Sequence, residues 1–206
     1  MESEELFDRL GFRWERVRAQ APVDIGTVQE AVAAFNRDMA GHVWAAAALE
    51  GNPFTYPEVK ALLEGVTVGG RKVADADQIL RLRDAYELVV DLVTSQEFIL
   101  AKDISDSLHD IIGRNEALET GHFRGEGSLT SPVAVNLGEL GTHLPPPTQA
   151  GGGNLRDLYE TGLRTLNAIE HPFERACAYF LFAADNQFYF DGNKRTARSM
   201  MNGLLM

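Results

Sequence analysis

Apolar residues at helical spacing recur along most of this chain, and one Gly- and Pro-rich segment interrupts them. The strongest stripes lie in residues 75–94 and 97–118, which we predict to be the central core helices. Residues 121–153 hold eight glycines and four prolines, so a β-hairpin or flap is predicted there, near residues 128–143. We therefore predict an all-α fold, a helical bundle with a small β-hairpin flap. Such a flap often covers a ligand, although a solvated loop has the same composition.

Two helices are predicted ahead of this core. The first covers residues 4–19, where apolar residues recur at helical spacing. The second covers residues 24–48, and Gly51 and Pro53 follow it in the order that usually ends a helix.

The chain length suits a single domain with a sizeable core. We interpret residues 1–65 as an N-terminal helical extension of that domain and residues 66–206 as its core. The last helix reaches Met206 while still apolar and without a stop signal, so we expect the natural chain to continue.

The charge and composition narrow the choice of partners. A net charge of −11 argues against a broad nucleic-acid surface, so any anion site must be a local concentration of basic residues. The sole cysteine, Cys177, excludes a disulfide within the chain and reads as core filling. The acidic N-terminus is unlike a signal peptide, and no apolar run reaches membrane-spanning length. We expect a cytoplasmic protein without nucleic-acid or membrane partners, and a homo-oligomer remains an open alternative.

A basic helix start near the C-terminus is the strongest functional signal. A sharp turn at Asp191-Gly192-Asn193 is followed by Lys194, Arg195 and Arg198, which fall on the first turns of a predicted helix. The backbone N–H groups of such a turn, together with the helix dipole, form a ready-made phosphate site. Arg195 and Arg198 are three residues apart and could grip the same oxyanions.

A plainer interpretation is that Asp191 is an ordinary N-cap and the basic residues form a solvated first turn. Basic side chains are disfavoured at a helix N-terminus, so their accumulation there favours a bound anion. Asp191 could hold Mg²⁺ on the phosphates of a nucleotide, because Mg²⁺ is usually bound by one carboxylate and several phosphate oxygens.

Residues 187–198 resemble the Fic (filamentation induced by cAMP) motif, H-x-F-x-[D/E]-G-N-[G/K]-R-x-x-R, at every spacing. Gln187 stands in place of the histidine, and Tyr189 stands where phenylalanine is usual. Residues 46–51 resemble the inhibitory-helix motif of the same family, [S/T]-x-x-x-E-[G/N], with Ala46 in the Ser/Thr position and Glu50 as its glutamate. The resemblance covers roughly residues 25–206 and implies the Fic fold.

This resemblance implies transfer of AMP, or another phosphate-containing group, from ATP to a hydroxyl of a target protein. Asp191 would hold the metal, and Gly192 and Asn193 would form the anion hole. Arg195 and Arg198 would hold phosphates. The flap would align the unknown target polypeptide by strand addition.

The inhibitory motif implies a brake on that activity. Glu50 would reach Arg198 and compete with the terminal phosphate, because one guanidinium cannot hold both anions. Taken without the resemblance, Glu50 is a solvated carboxylate at a helix end.

Two departures from the motif affect the implied chemistry. The family's histidine takes the proton from the target hydroxyl, whereas Gln187 has no lone pair basic enough to do so. Lys194 replaces the glycine of many AMP-transferring members and resembles the Doc-type members that transfer the terminal phosphate. The protein could therefore be a weak or inactive nucleotide-binding member. Among the other histidines, His122 and His143 bracket the flap and stay open as substitutes. His171 is interpreted as the start of a helix, and His42 and His109 as structural or surface residues.

Overall fold

The structure is a computed structural model that describes residues 2–20 and 26–206. These residues form ten α-helices, one 3₁₀ turn and a two-stranded antiparallel sheet, which confirms the predicted all-α fold with a small hairpin. The helices are α1 (Ser3–Leu10), α2 (Arg16–Ala19), α3 (Val28–Arg37), α4 (Met39–Ala48), α5 (Tyr56–Leu63), α6 (Val73–Thr94), α7 (Lys102–Ile112), α8 (Gly153–Asn167), α9 (Pro172–Asn186) and α10 (Asn193–Leu205).

The chain divides into two compact units. One comprises residues 1–24 and 99–205, and the other comprises residues 25–98 and Met206. The predicted boundary at residue 65 stays a prediction.

The unit of residues 25–98 is built from α3 to α6. Its core contains fully buried side chains from α4, α5 and α6, among them Val43, Val59, Ile79 and Tyr86. The single helix predicted over residues 24–48 is wrong, since α3 and α4 are separate helices within its described part. The break lies at Asp38, a weak helix former, whose carboxylate folds over Gly41 where a Cβ atom would collide with it.

The predicted helix over residues 4–19 is also wrong in its extent. It is two short helices, because Gly11 adopts a left-handed conformation with a φ of 85° and ends α1. The segment that follows α1, residues 12–20, is held against α9 by the buried carboxylate of Glu174. That carboxylate accepts hydrogen bonds from Trp14 Nε1 (3.0 Å), Arg16 Nε (2.6 Å) and Gln20 Nε2 (2.6 Å).

The core helix predicted over residues 97–118 is shorter in the structure. It is α7, which ends at Ile112 and is followed by the capping residue Gly113, while Leu118 beyond it is 68% exposed. The chain cannot continue as a helix because Asn115 adopts a left-handed conformation with a φ of 65°. The other predicted core helix, residues 75–94, is confirmed as α6.

The predicted hairpin is confirmed within residues 128–143, the segment called the flap below. Its strands are β1 (Val135–Asn136) and β2 (Thr142–His143), joined through a 3₁₀ turn at Gly138–Leu140. The antiparallel register pairs Val135 with His143.

Helices α8 and α9 pack closely because Gly162 on α8 lies against the ring of Phe182 on α9. We expect Gly162→Ala to lower the free energy of unfolding by about 1–3 kcal/mol, since the added methyl group would overlap that ring. Gly153→Ala in the same helix is the matched control, because its nearest contact is Arg156 Nη2 at 3.9 Å. Urea denaturation followed by circular dichroism measures both variants. Equal midpoints for Gly162→Ala and wild type would contradict this packing.

Helix α10 packs against α9 and α7 within the same unit. The residues that connect α9 to α10, 187–192, are called the motif loop below. Because α9 and α10 are fixed against each other, the motif loop is held at both ends.

Candidate functional site

The motif loop begins with Gln187 in a left-handed conformation, with φ 48° and ψ 59°. Both polar atoms of its carboxamide form hydrogen bonds. Oε1 accepts a hydrogen bond from Asn193 Nδ2 (3.0 Å), and Nε2 donates to the carbonyl oxygen of Ala184 (2.6 Å). Gln187 therefore braces the loop and caps the end of α9.

Asn193 is the second brace of the motif loop. It is buried, its Oδ1 accepts the N–H of Tyr189 (2.8 Å), and its Nδ2 also donates to the carbonyl of Tyr189 (2.8 Å). Because the side chain is engaged within the loop, only its main chain could contribute to the predicted anion hole.

Gly192 precedes α10 with a φ of 73°, a conformation that suits glycine. Its carbonyl accepts the N–H of Thr196 (2.9 Å), so α10 starts immediately after it. Asp191 is not the N-cap that the sequence suggested, since it lies one residue further out, and its Oδ1 accepts the N–H of Gly192 (2.5 Å). The Asp191 side chain is 60% exposed.

The basic residues of α10 have different surroundings. Lys194 is exposed, whereas the Arg195 side chain is only 4% exposed and pairs with Glu116 (Nη1 to Oε2, 2.7 Å). Arg198 is half-buried, with its guanidinium carbon 5.7 Å from the ring centroid of Phe180. The two arginines thus contact different neighbours in this structure instead of converging on one point.

His109 on α7 contacts two residues of the motif loop, Asp191 and Tyr189. Its Nδ1 accepts the N–H of Gly121 (3.1 Å), so the proton lies on Nε2, which donates to the carbonyl of Asp191 (2.9 Å). The ring stacks on Tyr189 with a centroid distance of 3.7 Å. Burial lowers the pKa of His109 to about 4. The structural role predicted for His109 fits these contacts, although nothing in the sequence indicated that it holds the motif loop.

Tyr189 replaces the motif's phenylalanine, and its hydroxyl has its own partners. It donates to Asp106 Oδ1 (2.8 Å) and lies 2.8 Å from Ser105 Oγ, with all three groups on or against α7. Burial raises the pKa of Asp106, while hydrogen bonds from Lys102 and Tyr189 oppose that rise.

We expect Tyr189→Phe to destabilise the protein by about 1–2 kcal/mol, although it restores the family's usual residue. The reason is that Asp106 and Ser105 would lose a buried hydrogen-bond partner. Tyr56→Phe is the control, because Tyr56 is 40% exposed on α5. Thermal unfolding measures both variants. A Tyr189→Phe protein at least as stable as wild type would contradict a stabilising role for this hydroxyl.

The remaining histidines of this unit also have main-chain partners. His143 Nε2 lies 2.7 Å from the carbonyl oxygen of Asp185, and His122 Nδ1 lies 3.2 Å from that of Phe123. His171 marks the start of α9, as predicted, by accepting the N–H of Glu174.

Glu50 lies at the end of α4 in a well-defined cap. The N–H of Asn52 donates to the carbonyl of Ala47 (3.1 Å), that of Gly51 donates to Ala48 (3.0 Å), and Gly51 has a φ of 81°. This is a Schellman motif, which fixes the main chain of Glu50 at the negative end of the helix. Glu50 and Arg198 belong to different compact units, so their pairing stays a prediction.

The donors near the motif loop fit Mg²⁺ held jointly with phosphate oxygens. Asp191 offers one exposed carboxylate, and Mg²⁺ usually takes one or two carboxylates together with nucleotide phosphates and water. Within the described ranges, no group of three or more His, Cys, Asp or Glu side chains could hold a metal ion on its own.

The family comparison identifies the kind of domain that carries this loop. Residues 98–205, more than half of the chain, match the model of the Fic/DOC family. The chain belongs to the Fic/DOC family. Its structural neighbours agree, so the Fic fold implied by the resemblance is confirmed.

Two curated relatives of this Fic-family chain carry the name protein adenylyltransferase Fic. The one from Aedes aegypti is 30% identical over 171 residues, and the one from Culex quinquefasciatus is 27% identical over 206 residues. The alignments cover 80% and 97% of this chain but 32% and 38% of those proteins. The chain thus spans about a third of the length of these relatives.

Two solved structures share its fold. A Fic family protein from Desulfovibrio desulfuricans aligns with a TM-score of 0.67 at 22% identity, covering 98% of this chain and 56% of that one. A Fic domain containing signaling protein from Bacteroides thetaiotaomicron aligns with a TM-score of 0.65 at 18% identity, covering 98% of this chain and 70% of that one.

Across residues 2–20 and 26–206, no helix is both long and apolar enough to span a bilayer.

Proposed function

We propose that this Fic-family protein binds ATP with Mg²⁺ at the start of α10 and transfers AMP, or another phosphate-containing group, slowly to a hydroxyl of a target protein. The braced motif loop supports this proposal, since Gln187 and Asn193 fix it directly before a helix N-terminus. Backbone N–H groups at such a terminus bind phosphate, helped by the helix dipole. The relatives named protein adenylyltransferase support AMP as the transferred group.

The slow transfer follows from the chemistry of residue 187. In AMP transfer the target oxygen bonds to the α-phosphorus, pyrophosphate leaves, and the hydroxyl proton needs an acceptor. The Gln187 carboxamide has no basic lone pair near neutral pH, and both its polar atoms already form hydrogen bonds. Loss of a general base lowers a rate by about 10²- to 10⁴-fold.

Mg²⁺ would be held by Asp191 together with nucleotide phosphates. When bound, the cation would neutralise part of the phosphate charge that a protein of net charge −11 would otherwise repel. Gly192 and the main chain of Asn193 would line the anion hole, and Lys194 adds a positive charge beside it.

The arginines would bind phosphate only after a rearrangement. Glu116 already occupies Nη1 of Arg195, whose side chain is almost fully buried. Arg198 is half-buried beside Phe180 and is the more accessible of the two. We therefore assign the terminal phosphate to Arg198.

Glu50 would act as the internal brake by pairing with Arg198. A carboxylate at the negative end of a helix is unfavourable by itself, so a guanidinium partner would stabilise it. Because the same guanidinium is needed by the terminal phosphate, nucleotide binding and the brake would exclude each other.

The flap would bind the target protein. Leu137 and Leu140 in its turn are 48% and 88% exposed, and both strands of its two-stranded sheet are edge strands, the kind that strand addition uses. Such a surface suits an extended polypeptide with apolar side chains.

ATP labelled separately at the α and γ phosphates tests the proposal. We expect weak transfer of the α label to lysate proteins by wild type and stronger transfer by Glu50→Gly, which removes the brake. Transfer of the γ label instead would show the Doc-type nucleotide orientation suggested by Lys194. No transfer of either label by either protein would contradict the transferase proposal.

The hydrogen-bonded carboxamide of Gln187 also favours a second candidate function, nucleotide binding without catalysis. If Gln187 serves only as a brace, the protein is a nucleotide-binding regulator without catalysis. ATP with Mg²⁺ would then raise the melting temperature of Glu50→Gly while no label is transferred.

A further inference from the structure

Arg124 is a completely buried cation close to the motif loop. Its guanidinium donates to the carbonyl oxygens of Gln187 (Nε, 2.5 Å), Pro146 (Nη2, 2.9 Å) and Asn186 (Nη2, 3.3 Å). Nη1 donates to Thr148 Oγ1 (2.6 Å). All four acceptors are uncharged, and no carboxylate of the described residues pairs with it. Burying a charge without a counter-ion is costly, so this position needs an explanation beyond packing.

On one side Arg124 holds the start of the motif loop. Its main-chain N–H also donates to the carbonyl of Phe188 (2.9 Å), so it contacts three successive carbonyls, 186 to 188. These lie at the C-terminal end of α9, where the helix dipole is negative and favours a cation. They also surround Gln187, whose left-handed conformation persists only where its surroundings fix it.

On the other side Arg124 holds the segment that follows the flap. Besides the bonds to Pro146 and Thr148, the next residue, Gly125, accepts the N–H of Gly151 (2.7 Å). Gly125 has a φ of 85°, and a Cβ atom there would collide with the carbonyl of Gln149. Residues 124–125 are thus fixed against the chain after the flap.

We propose that Arg124 is a positioning residue that joins the base of the flap to the motif loop and directs the side chain of residue 187 toward Asn193. It acts through Gln187 and the main chain, without contacting the nucleotide. Lysine could not replace it, because one ammonium group cannot reproduce a planar fork that spans two segments. The expected effect on nucleotide affinity rests on the proposed function, whereas the effect on residue 187 does not.

The test compares Arg124→Lys with Arg156→Lys by NMR of ¹⁵N-labelled protein, and by calorimetric titration of the same variants with ATP and Mg²⁺ after Glu50→Gly has been added to each. Arg156 is the matched control, because it lies half-buried in the same compact unit and its Nη1 donates to Glu126 (2.7 Å), away from the carbonyls of residues 186–188. In Arg124→Lys we expect the side-chain amide signals of Gln187 and Asn193 to move toward those of free amides. ATP affinity should fall about tenfold or more, the effect of losing one hydrogen bond to a charged phosphate.

Gly162→Ala separates positioning from stability, because it is expected to weaken the fold while leaving these amide signals and the ATP affinity unchanged. A folded Arg124→Lys protein with wild-type Gln187 and Asn193 signals would overturn the inference. If the Glu50→Gly protein, which lacks the proposed brake, binds no ATP, the proposed function fails, and the amide signals still decide the role of Arg124. If Arg124→Lys does not fold, Thr148→Val removes one acceptor, and unchanged Gln187 signals in that variant would overturn the inference.

Discussion

Gln187→His is expected to raise the transfer of labelled AMP to protein by about 10²- to 10⁴-fold, the usual contribution of a general base. The imidazole would replace a carboxamide that is now bonded to Asn193 and to the carbonyl of Ala184. Its main chain would be held in the same left-handed conformation by Arg124. The gain should be largest together with Glu50→Gly, because that change removes the proposed competition for Arg198.

Gln187→Ala is the control for this experiment. It removes the same two hydrogen bonds without supplying a base. A general-base effect therefore requires that Gln187→His transfer AMP faster than Gln187→Ala. Initial rates with α-labelled ATP, measured at a saturating nucleotide concentration, separate the chemical step from binding. A Gln187→His protein that binds nucleotide but transfers no faster than Gln187→Ala would show that the missing base is not what limits the reaction.

The second large effect is a loss of stability in mild acid caused by His109. Its pKa is about 4 in the folded protein and 6.5 in the unfolded chain, so the folded state favours the neutral ring. Above pH 6.5 neither state is protonated, and there is no penalty. As the pH falls from about 6.5 to about 4, the unfolded state alone takes up a proton. The free energy of unfolding should drop by about 3 kcal/mol over that range.

Comparison of wild type with His109→Gln isolates this contribution, because other titrating groups are common to both. Glutamine can still accept the N–H of Gly121 and donate to the carbonyl of Asp191, yet it does not titrate. Urea unfolding at pH 7, 5.5 and 4 gives, for each protein, the slope of the free energy of unfolding against pH. Parallel slopes would mean that His109 is not held neutral.

Much of the fold could be predicted because it depends on local pattern. The stripe of residues 75–94 matches α6, and the glycines and prolines after residue 121 exclude helix where the flap lies. The errors occur where one residue breaks a continuing pattern. Asp38 and Gly11 each interrupt an apolar stripe that is otherwise unbroken, and a stripe shows which face is buried without showing where a helix is divided.

The site was only partly predictable for a different reason. The residues of the motif loop are contiguous, so their spacing could be recognised. Its supports come from distant parts of the chain: Glu116 is 79 residues from Arg195, His109 is 82 residues from Asp191, and Arg124 is 63 residues from Gln187. No spacing rule predicts such contacts. The uncharged partners of Arg124 also could not be anticipated, since a buried arginine is normally expected to pair with a carboxylate.

Binding of ATP with Mg²⁺ at Asp191 is the central claim, and calorimetric titration tests it most directly. The titration uses the Glu50→Gly protein, so that the proposed brake cannot mask the site. Two double variants are compared with it, one that adds Asp191→Ala and a control that adds Asp157→Ala at an exposed position. We predict saturable binding that requires Mg²⁺, is retained with Asp157→Ala and is weakened at least tenfold with Asp191→Ala, in line with loss of a metal ligand. No binding by Glu50→Gly, or equal affinity after Asp191→Ala, would contradict the account.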